Sequence, residues 1–214
     1  GRIGGVVVRT ELGSVRADQV VLATNAFPAL LRRLRLMTVP VYDYVLATEP
    51  LTPSQLESIG WSGRQGIGDS ANLFHYYRLT RDNRILWGGY DAVYHYGSRI
   101  RRGLEQRDVT HELLAEHFLA TFPQLAEVRF THRWGGVIDT CTQFSAFFGK
   151  AYDGRVAYAM GYTGLGVAAT RFGAATCGGR GAGDGGRALR RVPRGRRATR
   201  PCSHRRSCGP SAAR

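Results

Sequence analysis

The chain has 214 residues, 43% of them hydrophobic, and a formal net charge of +14. This length and apolar content suit one globular or compound domain with a packed core, and no apolar run approaches the roughly 18 residues of a membrane-spanning helix. Eleven arginines and one aspartate follow Thr176, so the basic character belongs to the end of the chain. The remainder has an ordinary charge, which argues against specific nucleic-acid binding by the whole chain.

The N-terminal residues contain no apolar segment of a secretory signal. Of the four cysteines, only Cys141 precedes residue 177. One cysteine cannot build an intramolecular disulfide framework, so we expect a reducing cytoplasm as the location. The sequence also opens without methionine in a strand-like run, and we therefore expect it to begin partway through a larger protein.

The first part of the chain predicts two β-strands and a short helix. Residues 6–9 and 19–24 are rich in β-forming residues. The apolar run at 20–23 lacks alternation, which is typical of a strand buried on both faces in a parallel sheet. Leucines at helical spacing predict a helix over residues 27–36.

The middle of the chain predicts a mostly antiparallel sheet. Residues 39–51 are expected to be extended because two prolines exclude a helix. Residues 52–55, Thr-Pro-Ser-Gln, have the form of a capping box and predict a short helix. Residues 73–80 and 84–88 flank a short polar turn, which predicts a β-hairpin.

Further along, residues 110–122 predict the clearest helix, because apolar side chains recur every four positions. Thr110 is its expected N-terminal cap. Two more strands are predicted over residues 133–138 and 155–160. After Thr176 no apolar period remains. We expect disorder over residues 177–214, because such a segment cannot offset an ordering entropy of about 1–2 kcal/mol per residue.

A glycine-rich loop at residues 161–166 carries the strongest chemical signal. Its glycines permit tight turns and close approach of the backbone to a ligand. The helix predicted over residues 167–175 would point unpaired N–H groups at that ligand, which favours an anion or developing negative charge. The spacing G-x-x-G-x-G is not the dinucleotide fingerprint. Taken alone, the loop is also explained as an ordinary strand-to-helix turn.

Three segments form a combined pattern. They read VVLATNAF at 20–27, WGG at 134–136 and GYTGLGV at 161–167. In this order they resemble the D-amino-acid oxidase-like family of FAD-dependent oxidoreductases, and in particular amine oxidases similar to gamma-glutamylputrescine oxidase. The resemblance covers about residues 1–176.

The resemblance implies FAD as the cofactor and an α/β fold. The expected architecture is the C-terminal part of a three-layer FAD-binding sandwich with an inserted, mostly antiparallel substrate-domain sheet. Residues 1–37 and 131–176 would belong to the FAD-binding domain, and residues 38–130 to the substrate domain. The residues that the resemblance places near the cofactor are Ala23, Thr24, Asn25, Trp134, Gly135, Gly136, Gly161, Tyr162, Thr163, Gly164, Gly166 and Val167.

The expected substrate domain carries polar and aromatic candidates for a substrate pocket. They are Tyr42, Asp43, Tyr44, His75, Tyr77, Arg78, Tyr90 and Tyr94. An arginine can clamp a carboxylate in a bidentate way, and tyrosines can cage an amine. The alternative is that the tyrosines pack within the sheet and the arginine lies at the surface. No catalytic residue is assigned, and Lys150 is expected in a turn without a role.

Two groups of residues suggest a metal but do not predict one. His111 and His117 lie six positions apart, about 120° around a helix, so they do not form the i, i+4 zinc pair and a solvated helix face is expected. Cys202, His204 and Cys208 supply three ligands in the basic tail, which make a weak site.

The expected function is oxidation of an amine or amino-acid C–N bond by hydride transfer to the flavin. Because the N-terminal unit that binds most of FAD is absent from the sequence, we expect a separately encoded N-terminal half as a partner. The other expected partner is a small amine or amino-acid substrate, with no specific nucleic acid and no membrane. The alternative is a truncated, inactive remnant or an interaction module with a basic tail.

Overall fold

A computed structural model describes residues 5–178. Within them the chain forms three sheets and three α-helices, so the expected mixed α/β class is confirmed. The strands are β1 (Val6–Thr10), β2 (Gly13–Ala17), β3 (Val20–Leu22), β4 (Val39–Thr48), β5 (Ile67–Gly68), β6 (His75–Leu79), β7 (Ile85–Gly89), β8 (Val93–Tyr94), β9 (Phe130–Thr140), β10 (Phe147–Ala151) and β11 (Val156–Met160). The helices are α1 (Pro53–Ile59), α2 (Asp108–Thr121) and α3 (Gly166–Gly178).

The largest sheet is antiparallel and is organised around β4. Strand β9 pairs with β4 from Val39 opposite Thr140 to Thr48 opposite Phe130. The other edge of β4 is shared by β7 and β8, and β6 and β5 extend the sheet beyond β7. The hairpin predicted for β6 and β7 is confirmed. Strand β9 crosses the domain boundary expected at residue 131 and stays in this sheet as far as Thr140.

One face of this large sheet buries the main core. The alternate residues Tyr42, Tyr44 and Leu46 of β4 point to the side of the sheet that α2 covers with Leu114 and Phe118. The predicted four-residue spacing of α2 is confirmed by these contacts. The buried members of the core are Tyr42, Tyr44, Leu46, Leu51, Trp61, Leu79, Ile85, Trp87, Leu114, Phe118, Phe122, Leu125 and Val128.

The smaller sheet has β11 at its centre, with β3 parallel on one side and β10 antiparallel on the other. Helix α3 contacts β11, and the helix predicted after the glycine loop is confirmed. Leu22 is buried, but Val21 is 46% exposed. The prediction that residues 20–23 are buried on both faces is therefore wrong at Val21, because no element of residues 5–178 covers that face of β3.

The helix predicted over residues 27–36 is also wrong. This segment contains only a short 3-10 turn at Arg32–Leu34. Ala29 and Leu34 are buried, whereas Leu30 and Leu36 are 65% and 85% exposed. So short a helix is not stable unless its apolar side chains pack against other elements, and half of these leucines do not.

Four strands lie where none was predicted, namely β2, β10 and the two-residue strands β5 and β8. Strand β2 is almost entirely exposed, so it has no apolar alternation to reveal it. Strand β10 contains Lys150, opposite Ala157 of β11, and the expected turn at that lysine is wrong. Its Gly149 interrupts the apolar pattern because the ring of Tyr158 occupies the place of a side chain there.

The helix caps were predicted with mixed success. Thr52 forms the full capping box with Gln55, as predicted. Helix α2 instead begins after Arg107 without a side-chain cap, so the assignment of Thr110 as a cap is wrong. Thr110 lies within the first turn, where it is buried and donates a hydrogen bond of 2.7 Å to Asp91 Oδ2.

In the part of the chain covered by the structure, no helix has both the length and the apolar character that crossing a membrane requires. The expectation of disorder over residues 177–214 is wrong at Cys177 and Gly178, which form the end of α3. From residue 179 onward it falls outside the described residues.

Candidate functional site

A cleft of about 670 Å³ opens where β3, the end of β9 and the first turn of α3 meet. This volume lies within the range of about 300–1,000 Å³ that is usual for small-molecule sites. The residues that line the cleft are Val21, Leu22, Ala23, Asn25, Ile138, Asp139, Ala159, Tyr162, Gly164, Gly166, Val167, Thr170, Arg171, Gly173, Ala174 and Cys177.

The loop between β11 and α3 forms one wall of the cleft. Gly161 and Gly164 have left-handed φ angles of 75° and 81°, and Thr163 has 51°. A Cβ atom at Gly161 would lie 2.7 Å from the ring of Phe147, so glycine is required there. The amide of Leu165 closes the turn by donating to the carbonyl of Tyr162 at 2.9 Å. The loop therefore reverses sharply and brings the start of α3 to the cleft.

Asp139 holds this loop in place. Its carboxylate is 2% exposed and accepts hydrogen bonds from the amides of Gly161 and Tyr162, the latter at 3.3 Å. Its carbonyl oxygen accepts from the amide of Thr163 at 3.0 Å. Burial raises the pKa of Asp139 more than these hydrogen bonds lower it. Sequence reasoning missed this residue, although a lone acid at the end of an apolar strand is a signal that could have found it.

Thr163 joins the loop to the chain after β9. Its hydroxyl accepts a hydrogen bond from the amide of Cys141 at 3.3 Å and donates to the carbonyl of Gly161 at 3.1 Å. The buried thiol of Cys141 also donates to Ser145 and Gly161 carbonyls. Thr163 thus stabilises the back of the loop, and it is not among the residues that line the cleft.

The residues after β3 form the opposite wall. Ala23 and Asn25 line the cleft. Asn25 has a left-handed φ of 51°, and its side-chain amide donates to the carbonyl of Val137 at 3.4 Å. Thr24 supports the turn with its carbonyl, which accepts from Phe27 at 3.0 Å. The end of β3 is therefore tied directly to the end of β9.

Six of the twelve residues expected near the cofactor line this cleft. They are Ala23, Asn25, Tyr162, Gly164, Gly166 and Val167. Gly161, Thr163 and Thr24 lie behind its walls. Trp134, Gly135 and Gly136 lie earlier on β9, where Gly135 packs against the ring of Tyr44, and the structure does not bring these three to the cleft.

Tyr42 and Tyr44, expected in a substrate pocket, are 1% and 0% exposed. The Tyr42 hydroxyl donates to the carbonyl of Arg101 at 3.2 Å, and that of Tyr44 donates to the carbonyl of Leu104 at 2.7 Å. The structure places both tyrosines in the main core, where they anchor the segment before α2.

The other expected pocket residues are also separated from the cleft. His75 stacks on Trp87 with ring centroids 4.5 Å apart, and its Nε2 lies 3.0 Å from Nδ1 of His117. Burial, followed by the charge of His117, lowers the pKa of His75. Tyr90 stacks on His75. Tyr77 packs between Trp61 and Trp87, Arg78 is exposed, and Tyr94 is 60% exposed.

The solvated helix face expected for the two histidines of α2 is wrong. His111 is 3% exposed and packs edge-on against Tyr44, and His117 contacts His75. Within residues 5–178 no group of three histidine, cysteine or acidic side chains is arranged to hold a metal ion. Cys202, His204 and Cys208 lie outside the described residues.

Residues 1–177 match the family model named DAO and described as FAD dependent oxidoreductase. The chain belongs to this family. FAD is the cofactor of the DAO family, as the three sequence segments implied.

Two curated relatives are similar to this chain in sequence. It is 31% identical over 172 residues to a probable oxidoreductase OrdL of Haemophilus influenzae, which covers 78% of this chain and 36% of the relative. It is 34% identical over 170 residues to the gamma-glutamylputrescine oxidoreductase of Escherichia coli, covering 77% of this chain and 36% of the relative. The chain therefore spans about a third of the length of these curated relatives.

Solved structures agree with this fold. The glycine oxidase of Bacillus cereus superposes with a TM-score of 0.63 at 18% identity, over 82% of this chain and 46% of that chain. The L-proline dehydrogenase of P. horikoshii gives a TM-score of 0.61 at 17% identity, over 75% and 41%.

The cleft residues fit part of a flavin. The walls at Val21 and Ala159 are apolar, as an aromatic ring system requires. The wall at Gly164 and Gly166 has no side chain beyond Cα, so backbone N–H groups of the first turn of α3 are open to a ligand. Asp139 also lines the cleft, but its carboxylate accepts hydrogen bonds from the amides of Gly161 and Tyr162, and the cleft is lined by the basic residue Arg171 as well.

Proposed function

We propose that this chain forms the C-terminal part of an FAD-dependent oxidoreductase that oxidises the C–N bond of an amine or amino acid. The observation that carries this proposal is the cleft at the start of α3, which the glycine-rich loop before that helix borders. When bound, FAD would supply the oxidation by accepting a hydride from the carbon next to nitrogen.

The residues of this chain would hold and polarise that cofactor. The N–H groups at the start of α3 stabilise negative charge in the cleft, since they combine the helix dipole with unpaired donors. Asp139 fixes the loop that presents them. Val21 and Ala159 supply an apolar wall for the ring system. The E. coli relative acts, by its name, on gamma-glutamylputrescine, and this supports an amine as substrate.

A separately encoded N-terminal half is the proposed partner. The apolar side chains of Val7, Val15 and Val21 are 47%, 61% and 46% exposed, and Val167 is fully exposed. A polypeptide that supplies the rest of the family fold would cover these side chains and the remainder of the cofactor. The alternative of an inactive remnant or a basic interaction module has no support from the described residues.

The test is to co-express the chain with the N-terminal part of the E. coli relative that the chain does not match. Visible flavin absorbance should copurify with the assembly and bleach when an amine is added without oxygen. Val167→Asp should weaken flavin binding more than about tenfold, because the new charge opposes an electron-rich ligand at the helix start.

Val109→Asp is the matched control for that variant. Val109 is likewise the second residue of its helix and is 66% exposed, but it lies at α2, away from the cleft. An assembly without flavin, or equal flavin binding by the two variants, would contradict the proposed function.

A further inference from the structure

A second carboxylate, that of the half-buried Asp43, lies on the face of the large sheet that points away from the main core. Asp43 is opposite Gly136 in the pairing of β4 with β9. Gly136 and Ile138 share this face because they are two residues apart on one strand. Ile138 lines the cleft. Strand geometry therefore places the Cα atom of Asp43 about 8 Å from that of Ile138.

The donors to Asp43 are all neutral. The hydroxyl of Tyr76 donates to Asp43 Oδ2 at 2.6 Å, and the backbone amides of Tyr44 and Gly89 lie near enough to the carboxylate to favour its charged form. Among residues 5–178 no basic side chain lies within 4.0 Å of this carboxylate. Burial raises the pKa of Asp43. A carboxylate that is partly removed from water and has no cation beside it is destabilised, and a bound cation would offset that cost.

Tyr76 is held in position by a glycine on the neighbouring strand. A Cβ atom at Gly88 would lie 2.8 Å from the ring carbon and the hydroxyl oxygen of Tyr76. The ring therefore lies across Gly88, and a larger residue there would push the hydroxyl away from Asp43. Residues of three adjacent strands thus combine to orient one hydroxyl toward one carboxylate.

There is room for a ligand beside this pair. A Cβ atom at Gly136 would meet no other atom within 4 Å, and the backbone there is not left-handed. The place next to Asp43 is therefore open although the strand would accept a larger residue. On this face of β9 the next residue after Gly136 is Ile138, which lines the cleft.

We propose that Asp43 and Tyr76 form a recognition site for a substrate ammonium group, so that the substrate is a cationic amine bound by its positive charge. The proposal rests on the proposed function and assigns the substrate class to that site. The carboxylate supplies the charge, and Tyr76 supplies the hydroxyl that orients it. Arg78, expected as a clamp for a substrate carboxylate, is exposed on β6 and makes no contact of this kind.

The test uses the whole 214-residue chain and needs no flavin. Propylammonium chloride is titrated at constant ionic strength while NMR follows the backbone amides of Tyr44 and Gly89. 1-Propanol, a neutral probe of nearly the same size, is titrated in parallel. Saturable shifts are expected from propylammonium alone. Asp43→Asn should raise the midpoint at least about tenfold, because a charge-assisted hydrogen bond becomes a neutral one.

Two further variants separate recognition from structure. Gly136→Val keeps the carboxylate but fills the open place, and it should abolish the response to propylammonium. Glu57→Gln removes an exposed acid on α1 and should leave the titration unchanged. If Asp43→Asn does not fold, the two probes on the wild-type chain and on Gly136→Val decide the question.

The proposal is overturned by equal responses to both probes or by an unchanged titration in Asp43→Asn or Gly136→Val. It is also overturned by no wild-type response to propylammonium up to roughly 100 mM, a hundred times a Kd of about 1 mM. A chain that binds propylammonium through Asp43, in an assembly that takes up no flavin, would instead contradict the proposed function alone.

Discussion

The two main sheets of this chain differ in how they cover their apolar side chains. The large antiparallel sheet buries Trp87 and Phe118 to 1% and 0% exposure against its own helix α2. The small sheet buries Leu34 and Met160, but it leaves Val21 46% and Phe172 58% exposed. The first region is complete within the described chain. The second retains an apolar surface of the kind that marks a binding or assembly site.

The two sheets also differ in the acid that each holds, the buried Asp139 and the half-buried Asp43. Asp139, at the small-sheet end of β9, has its carboxylate oxygens occupied by amides of the glycine loop. Asp43, on the large sheet, has neutral donors and open space beside it. The first acid therefore fixes a backbone loop, whereas the second has the open surroundings that its proposed role in binding a cation requires.

The largest expected difference between the two sheets is in the stability effect of truncating one phenylalanine in each. Phe118→Ala in the main core should lower the free energy of unfolding by about 3–5 kcal/mol, because a fully buried ring is removed. Phe172→Ala on α3 should cost less than about 1 kcal/mol, because that ring is mostly exposed. Urea unfolding followed by circular dichroism measures both. Equal losses would show that the small sheet is packed as tightly as the large one.

A smaller effect is expected at two glycines. Gly161→Ala should lower the free energy of unfolding by about 2–3 kcal/mol, since a left-handed residue costs roughly 1–2 kcal/mol and its methyl group would also press on Phe147. Gly136→Ala has an ordinary backbone and open space, and should change stability by no more than about 0.5 kcal/mol. The same urea series tests both, and a tolerated Gly161→Ala would refute the tight loop.

The smallest effect concerns pH. Asp139→Asn should cost about 1–2 kcal/mol, because one acceptor for the loop amides is replaced by a donor. The folded-state pKa of Asp139 lies above its ordinary 3.8. As pH rises above that value, the unfolded chain releases this proton first. The wild-type free energy of unfolding should therefore fall relative to that of the variant, until the pH exceeds the folded-state pKa.

Urea unfolding at several pH values between about 4 and 7 measures this difference. Asp18→Asn, a change of an exposed acid on the loop before β3, is the control and should follow the wild-type curve. A gap between wild type and Asp139→Asn that widens with rising pH would show that hydrogen bonding outweighs burial at this carboxylate.

Much of the fold could be predicted because it is encoded locally. The capping box at Thr52, the β6–β7 hairpin and the spacing of Leu114 and Phe118 each depend on neighbours within a few residues. Strand β2 was not predicted because it is almost entirely exposed and has no apolar alternation. Strand β10 was not predicted because Gly149 interrupts its apolar pattern. The helix expected over residues 27–36 failed because its leucines have no surface on which to pack.

The site was only half predictable for a related reason. A glycine-rich segment predicts a loop, and six of the residues expected near the cofactor do line the cleft. The roles of Asp139 and Asp43 depend on partners 22 and 33 positions away. The burial of Tyr42 and Tyr44 likewise follows from which face of β4 meets α2, and that choice is made by the tertiary fold.

The continuous pairing of β9 with β4 fixes the distance between positions along β9. Gly136 and Ile138 are separated by one pleat, about 7 Å of extended chain, and neighbouring strands hold that interval fixed. Substrates would be sorted by the length between charge and reacting carbon. A homologue with one extra residue between these positions would turn one of them to the reverse side of the sheet, and thereby lose the measure altogether.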